Sequence, residues 1–450
     1  MKIQKYLLLA GMMLTAAAAC ACGSPAAKEK TLTICADGNG LGESYLGPIL
    51  AEFQNQNPDI TLQVTYLPPM NSTDKAMTEE RVAALTRTRT ELMSGEGADL
   101  YLFFNRAVSA ESENYMLFPN LERQIAGGVF HDLDFLFEHP DFHEADYIAA
   151  IDQAGVYEDA AYVLPLSYDC PAMIALSDPL RESGFDEAAA TACTTAYVDA
   201  LLALPEEQRP YLTATLPALL LNVPSVPPVL VSQAQIQLNT PVWQDLLQKN
   251  RQVTEAYPDT EDAFFLAMDF DTCIADGAVF LAGASADPAY SLRLLEDSGS
   301  PARLLPIPNE NGSLTVMPYL TAAVSSGCDD TDTAARLLLF LLSDTVQGCE
   351  VLESGGSNAR LISSDNSWPV RRGCAVRMTE QITRQPVTPG EISDALKADL
   401  QHMEERADTC RLAGRYDAGL SALIDPYLKG TKDWEECYAA IEKEWSYLDE

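Results

Sequence analysis

The sequence predicts an α/β protein with two lobes. Residues 31–36 and 60–66 read as strands that flank an amphipathic helix, so the chain makes a βαβ unit near its start. The chain has 450 residues, which is too long for a single hydrophobic core and therefore predicts a second lobe. Its composition, 47% hydrophobic and 21% charged, is typical of a globular rather than a disordered protein.

The individual elements follow from the spacing of apolar residues. Leu46, Ile49, Leu50 and Phe53 recur at helical intervals, which predicts a helix that begins at Tyr45. The apolar side chains of residues 60–66 alternate, as they do in a strand. The same reasoning predicts helices over 78–95, 331–348 and from Trp434 onward, and extended segments over 98–104, 160–176 and 276–283.

Residues 1–21 have the build of a secretory signal. Lys2 and Lys5 precede an apolar run over 6–14 that is too short to cross a membrane as a helix. Two Ala-Cys pairs then resemble the lipobox of bacterial lipoproteins, in which a lipid-bearing cysteine becomes the first residue. Cys20 and Cys22 are both candidates for lipidation, and an ordinary cleaved signal peptide is the alternative. Residues 22–30 then form a polar linker.

The chain is strongly acidic. Its formal net charge is −37, and loss of the leader, which holds two lysines and no acidic residue, brings the charge to −39. Binding to nucleic acid or to an anionic membrane surface depends on Lys and Arg, so this charge argues against both classes of partner.

Eleven cysteines are present, and the nine beyond the lipobox pair include no CxxC spacing. This pattern argues against a zinc ribbon or a dense disulfide framework. We expect most of the nine to be small buried side chains, with room for one or two disulfides.

Ten short segments in a fixed order carry a family resemblance. They are LTICADGNG, ILAEFQNQNPDITLQVTYLP, ELMSGEGADLYLF, GGVFHDLDFLFE, YVLPLSYDCPAMIAL, LNTPVWQDLLQKN, ADGAVFLAG, AARLLLFLLSDTVQG, SWPVRR and YLKGTKDWEECYAAIEKEW. Together they resemble the extracellular solute-binding proteins of ABC importers, the family that includes maltodextrin-binding protein. Ala175 and Leu176 depart from this pattern, because the family usually has Tyr-Asn there, and the departure leaves the class of solute open.

The resemblance implies a two-lobed, periplasmic-binding-protein-like fold of type II, with lobes that are discontinuous in sequence. Residues 31–168 and 318–355 would form lobe 1, and residues 169–317 and 356–450 would form lobe 2. A ligand would bind in a central cleft and close the lobes about a hinge. Open α/β sheets bind ligands at the carboxyl ends of their strands, which places the cleft there.

Polar residues at or near predicted strand ends are the candidate ligand contacts. Carboxylate, amide and guanidinium groups bind hydroxyl or carboxylate groups of a ligand, and aromatic rings stack on sugars. We predict contacts at Asp37, Asn39, Asn105, Arg106, Tyr168, Asp169, Ser285 and Tyr319. The resemblance implies a further contact at Tyr416, near where relatives bring an aromatic residue. Asp37 and Asn39 could instead be ordinary turn residues, and Asn105 and Arg106 could lie in a surface loop. Only four tryptophans are present, which favours a small ligand over a long oligosaccharide.

Other kinds of site fit the sequence less well. GNGLGE has Glu43 where a dinucleotide-binding loop needs its third glycine. Leu41 and Pro48 occupy positions that a calcium-binding loop fills with ligands. His139 and His143 have metal-ligand spacing, but Pro140 interrupts the helix that would align them. We therefore expect no cofactor and no metal.

These observations predict a lipid-anchored, extracytoplasmic, monomeric binding protein that delivers a solute, most simply a carbohydrate, to the permease subunits of an ABC transporter. No catalysis is expected, since the sequence has no nucleophile elbow, HExxH or P-loop motif. The first alternative is a glycosidase whose carboxylates are Asp37 and Asp169. The second alternative is a surface sensor or adhesin with the same fold.

Overall fold

A computed structural model of the protein describes most of the chain beyond the predicted leader. The described residues are 30–38, 41–69, 75–105, 115–211, 216–225, 229–230, 235–256, 270–281, 287–299, 301–348, 352–354, 357–359, 367–382, 386–412 and 417–444. Within them, no helix is both long enough and apolar enough to cross a membrane.

The strands are mostly short. In chain order they are β1 (Lys30–Ala36), β2 (Ile60–Tyr66), β3 (Leu100–Phe104), β4 (Val156–Tyr157), β5 (Ala160–Ala161), β6 (Leu164–Pro165), β7 (Ser167–Asp169), β8 (Ala172–Leu176), β9 (Val229–Leu230), β10 (Gln235–Ile236), β11 (Ala302–Pro306), β12 (Leu314–Pro318), β13 (Leu320–Val324), β14 (Leu352–Ser354), β15 (Ser357–Ala359), β16 (Trp368–Pro369) and β17 (Ala407–Cys410).

Helices are interspersed with these strands. They are α1 (Glu43–Gln56), α2 (Lys75–Met93), α3 (Leu121–Ala126), α4 (Asp134–Phe137), α5 (Ser177–Ser183), α6 (Glu187–Ala190), α7 (Thr194–Leu202), α8 (Leu216–Leu221), α9 (Pro241–Ala256), α10 (Phe270–Ala275), α11 (Pro288–Asp297), α12 (Thr331–Leu341), α13 (Asp344–Gln347), α14 (Cys374–Glu380), α15 (Asp394–Arg406), α16 (Asp417–Leu428) and α17 (Trp434–Glu444). Short 3₁₀ helices cover Glu144–Asp146, Ala149–Asp152 and Glu206–Tyr211.

The first sheet has five strands in the order β2-β1-β3-β13-β6. β1 pairs in parallel with both β2 and β3, whereas β13 runs antiparallel to β3 and to β6. Alternate side chains of β1 enter two different cores: Ile34 belongs to the cluster that contains Leu46 of α1, and Cys35 to the cluster that contains Leu85 of α2. The sheet therefore lies between these two helices, as the predicted βαβ unit requires.

Two chain segments link the first sheet to a second one. β6 continues through Leu166 into β7, and β12 continues through Tyr319 into β13. β6 and β13 belong to the first sheet, whereas β7 and β12 belong to a four-stranded sheet of order β16-β7-β12-β17. Two of the predicted boundaries between lobes, 168/169 and 317/318, fall within these crossing segments. The third, 355/356, lies outside the described residues, and all three stay a prediction.

Two further core clusters lie in the second half of the chain. β8 pairs with β11, and their side chains Met173 and Leu305 pack in one cluster with helix α7. Helices α9, α16 and α17 form a separate cluster around Trp243 and Ile424. Asp433 accepts a hydrogen bond from the Glu436 amide at 2.9 Å, so α17 is capped and docked as its sequence predicts.

Three predicted elements differ in detail. The helix predicted over 331–348 is divided into α12 and α13, because the Ser343 hydroxyl accepts a hydrogen bond from the Val346 amide and starts a new helix. In the described part of the strand predicted over 276–283, residues 276–281, a single bridge joins Phe280 to Ala175. The first helix begins at Glu43 rather than Tyr45, since Gly42 is its N-cap residue.

Candidate functional site

One edge of the first sheet gathers three of the predicted ligand contacts. Because β1 and β3 are parallel, Asp37 and Asn105 both lie at carboxyl ends of strands. β13 is antiparallel, with Leu320 opposite Phe104, so Tyr319 lies at that same edge. The Asp37 amide donates to the Leu102 carbonyl at 2.9 Å, which fixes the end of β1 against β3.

Backbone hydrogen bonds join this edge to the crossing segments. The Asn105 amide donates to the Tyr319 carbonyl at 2.9 Å, and the Tyr319 amide donates to the Ser167 carbonyl at 2.8 Å. The Leu320 amide donates to the Ser167 hydroxyl at 3.1 Å. Asn105 is therefore held rigidly beside the point where both chain segments leave the first sheet.

The Asn105 side chain is buried but unpaired. It is 1% exposed, and neither its carbonyl oxygen nor its amide nitrogen has a hydrogen-bond partner among the described residues. Buried polar groups normally have a partner, so this carboxamide is an exception that needs an explanation. It offers one acceptor and two N–H donors to a ligand.

Two aromatic rings lie beside Asn105. The Phe104 and Tyr319 rings meet edge to face, with centroids 5.2 Å apart and planes at 65°. Both residues are half-buried, so part of each remains available to a ligand. Phe104 was not among the predicted contacts, because its place at the end of a buried strand makes it look like an ordinary core residue.

Asp37 is held by an arginine that the sequence reasoning missed. Asp37 is 2% exposed, and its two carboxylate oxygens accept hydrogen bonds from Arg81 at 2.9 and 3.0 Å. Arg81 lies on α2, where Ala84 and Leu85 are also buried. A charged residue in register with a buried helical stripe was a signal in the sequence. Ligand contact by Asp37 stays a prediction.

Tyr168 and Asp169 take opposite sides of β7, as neighbours in a strand do. Tyr168 is completely buried in the main core, and its hydroxyl has no partner among the described residues. Burial raises the pKa of the Tyr168 phenol well above its ordinary value. Asp169 is half-buried. The side chain of Tyr168 thus belongs to the core, while that of Asp169 reaches toward the surface; ligand contact by either stays a prediction.

The remaining predicted positions lie outside the described residues. These are Asn39, Arg106, Ser285 and Tyr416 among the ligand contacts, and both candidates for lipidation, Cys20 and Cys22.

The described cysteines and histidines form no evident chemical centre. All eight described cysteines are free thiols, six of them buried, and burial raises the pKa of Cys35 to about 12. Such a thiol stays protonated and is a poor nucleophile or metal ligand at neutral pH. Among the described residues, no group of three or more His, Cys, Asp or Glu side chains is placed to hold a metal ion.

A cavity of about 440 Å³ lies elsewhere, between the starts of α7 and α9 and the turn before β12. Thr194, Leu246 and Asn309 are among its lining residues, and none of the predicted ligand contacts borders it. The cavity is therefore distinct from the edge of the first sheet.

Comparisons with known proteins agree on the fold. No protein-family model matches the chain, and no curated protein matches its sequence. Among solved structures, the chain is similar to the sugar-binding protein MalE from Xanthomonas citri, with a TM-score of 0.63 and 13% identity over 93% of this chain and 97% of that one. It is also similar to a cyclic α-maltosyl-1,6-maltose binding protein from Arthrobacter globiformis, with a TM-score of 0.58 and 13% identity over 93% and 98% of the two chains.

A third solved structure, an extracellular solute-binding protein of family 1 from Alicyclobacillus acidocaldarius, has a TM-score of 0.55 and 13% identity over 93% of this chain and 98% of that one. Identities this low show a common architecture, whereas the ligand must be argued from the site itself. The fold predicted from the sequence is confirmed: the chain has the two-lobed α/β architecture of the extracellular solute-binding proteins.

Proposed function

We propose that the protein is the lipid-anchored substrate-binding component of an ABC importer. It captures an extracellular carbohydrate between its two lobes and delivers the sugar to the permease subunits. The observation that carries this proposal is the buried carboxamide of Asn105 at the carboxyl edge of the first sheet, which has no hydrogen-bond partner in the part of the chain that the structure describes.

The chemistry of this edge suits a sugar. A hydroxyl group both donates and accepts hydrogen bonds, and the Asn105 carboxamide does the same. The adjacent rings of Phe104 and Tyr319 provide apolar surface for the C–H face of a pyranose. Two of the similar solved structures are named as binders of a sugar or of a cyclic maltose derivative, which supports the same class of ligand.

Binding without catalysis is favoured over glycoside hydrolysis. A glycosidase needs two carboxyl groups that flank the scissile bond, one of them free to take up or release a proton. The proposed pair was Asp37 and Asp169, but both oxygens of Asp37 accept hydrogen bonds from a buried arginine. This pairing favours a structural role for the Asp37 carboxylate.

Membrane attachment through Cys20 or Cys22 rests on the leader sequence alone. Mass spectrometry of the mature N-terminal peptide tests it directly, because a diacylglyceryl-modified cysteine at either position supports the anchor. An unmodified N-terminus would favour the ordinary cleaved signal peptide. Permease genes beside the coding gene would favour transport over a sensor or adhesin role.

A thermal-shift screen tests the ligand class. Maltose, maltotriose, trehalose and sucrose are compared with amino acids and polyamines, because a ligand at one hundred times its Kd stabilises the folded protein by about 2.7 kcal/mol. We expect stabilisation by a sugar. A clear shift with an amino acid or polyamine and none with any sugar would remove the carbohydrate assignment. Hydrolysis of the bound sugar by purified protein would establish the enzyme instead.

A further inference from the structure

Arg81 is a buried charge whose presence requires explanation. The residue is completely buried in the middle of α2. Removing a guanidinium from water costs several kcal/mol unless it is fully paired and hydrogen-bonded. Its partners should therefore reveal why the site keeps an arginine.

All five N–H groups of Arg81 are used. Nη1 and Nη2 donate to the two carboxylate oxygens of Asp37 at 2.9 and 3.0 Å. Nη1 also donates to the Pro68 carbonyl at 2.5 Å, while Nε and Nη2 donate to the Tyr115 carbonyl at 3.0 and 2.6 Å. Only arginine has this number of donors in a rigid plane, so lysine is not an equivalent.

These partners come from three separate segments around the candidate site. Asp37 follows β1, Pro68 follows β2, and Tyr115 precedes α3. The first two segments approach closely, since a Cβ on Gly38 would come within 1.9 Å of the Leu67 carbonyl oxygen. The Asp37 amide in turn is bonded to β3, three residues before Asn105. One guanidinium thus joins the segments that follow β1 and β2, at the edge where Asn105 lies, to the segment that precedes α3.

We propose that Arg81 is the positioning residue of this ligand-binding edge. It holds the three segments in their ligand-ready arrangement and cancels the charge of Asp37 inside the protein, so that an uncharged, hydroxyl-bearing ligand meets groups that are already fixed. A preorganised edge binds more tightly because less order must be imposed on binding. This inference takes its ligand class from the proposed function. The role of Arg81 in holding the three segments together does not depend on that function.

Arg89 provides a matched control on the same helix. Its Nε donates to the Leu117 carbonyl at 2.8 Å, and its Nη2 donates to the Met116 carbonyl. Arg89 therefore holds the segment at 115–118, as Arg81 does, but has no contact with Asp37 or Pro68 among the bonds that fix it. Arg81→Lys and Arg89→Lys make the same chemical change on the same helix. They differ in the bonds that are lost, since those of Arg81 include the bonds to Asp37 and Pro68.

Hydrogen–deuterium exchange on the unliganded protein tests whether Arg81 holds the three segments together. Arg81→Lys should speed exchange at least about tenfold at the Asp37 and Leu67 amides and over 115–118, whereas Arg89→Lys should affect 115–118 alone. Equal patterns in the two variants, or no change at Asp37 and Leu67, would overturn the inference. If Arg81→Lys does not fold, Asp37→Asn replaces it and should speed exchange at Asp37 and Leu67 but not over 115–118.

Affinity for maltotriose, measured by calorimetry, then tests positioning. Arg81→Lys should weaken binding at least about tenfold and Arg89→Lys by less than about threefold, at similar losses in melting temperature. A purely structural role would lower both melting temperatures and leave both affinities unchanged, which would reject positioning. If the wild-type protein binds no sugar, the carbohydrate assignment fails while the exchange pattern still decides the role of Arg81.

Discussion

At the scale of single residues, the unpaired side chain of Asn105 lowers the stability of the unliganded protein. A buried polar group without a hydrogen bond costs about 1–3 kcal/mol. The Asn105 amide donates to the Tyr319 carbonyl, whereas the side chain has no hydrogen-bond partner among the described residues and carries this cost. Such violations of otherwise consistent packing are expected at functional sites, where a ligand completes the missing bonds.

This cost leads to the first prediction. Asn105→Leu should leave the melting temperature of the unliganded protein unchanged or raise it, because it replaces an unpaired amide by an apolar group of similar size. The same change should weaken sugar binding at least about tenfold, measured by calorimetry with the sugar that the thermal-shift screen selects.

Thr321→Val is the control for Asn105→Leu. Thr321 is also completely buried, but its hydroxyl donates to the Phe103 carbonyl at 2.9 Å. Its replacement should destabilise the protein by about 1 kcal/mol and leave sugar affinity unchanged. Destabilisation by Asn105→Leu with unaltered affinity would assign Asn105 to structure instead.

The second residue-scale prediction concerns pH. The Arg377 guanidinium, which donates two hydrogen bonds of 2.6 Å to Asp344, holds the pKa of that carboxyl below its ordinary value of 3.8. A lowered folded-state pKa gives stability that is present above the ordinary pKa and lost as pH falls through the folded-state pKa. Asp344→Asn should therefore destabilise at pH 7 by at most about 1 kcal/mol, because the pair is partly exposed.

Urea unfolding of the wild type and of Asp344→Asn checks this prediction at several pH values. The difference in unfolding free energy should be present at pH 7 and should disappear as the pH falls below 3.8. A difference that stays constant down to pH 2 would mean that the ionic partner of Asp344 contributes nothing.

At the scale of secondary structure, the turn after β1 depends on the absence of a side chain. A Cβ at Gly38 would overlap the Leu67 carbonyl oxygen, whereas a Cβ at Gly47, inside α1, would meet its nearest atom at an ordinary 3.6 Å. Gly38→Ala should destabilise by about 1–3 kcal/mol or more, since backbone must move. Gly47→Ala should stabilise by about 0.5–1 kcal/mol, because alanine favours the helix. Chemical denaturation of both variants measures the contrast, and equal effects would contradict the close approach.

The spacing of apolar residues predicted those elements whose buried face is set by residues close together in the sequence. The spacing of Leu46, Ile49, Leu50 and Phe53 identified α1 because those four residues face one core. The ends of other elements depend on contacts that the local pattern does not contain. The apolar spacing over 331–341 made the whole of 331–348 look like one helix, yet Ser343 caps a new helix there.

The site was predictable to the extent that topology dictates it. Parallel strands bring their carboxyl ends to one edge, so Asp37 and Asn105 could be selected together from the sequence. The partner of Asp37 could not, because Arg81 is 44 positions away in the chain and reaches it only in the folded protein. Nor does the sequence tell which of two neighbouring strand residues faces the core. For Tyr168 and Asp169, the packing of β7 in the folded protein determines this.

At the scale of the whole molecule, the crossing segments are direct covalent links between the two sheets. The candidate site lies where those segments leave the first sheet, and Tyr319 belongs to both the site and a crossing segment. A ligand that bonds Asn105 and Tyr319 therefore acts beside the points about which the lobes would rotate. If the proposed function is right, we expect this arrangement to couple ligand binding to a change in the angle between the lobes.

The last prediction follows from that coupling. A saturating sugar should lower the radius of gyration in small-angle X-ray scattering and raise the melting temperature together, because closure buries the ligand between the lobes. Asn105→Leu should abolish both responses at the same sugar concentration, while Thr321→Val should keep both. A rise in melting temperature without any contraction would mean that the sugar binds one lobe only, since a ligand without contacts to the second lobe has no means of favouring the closed state.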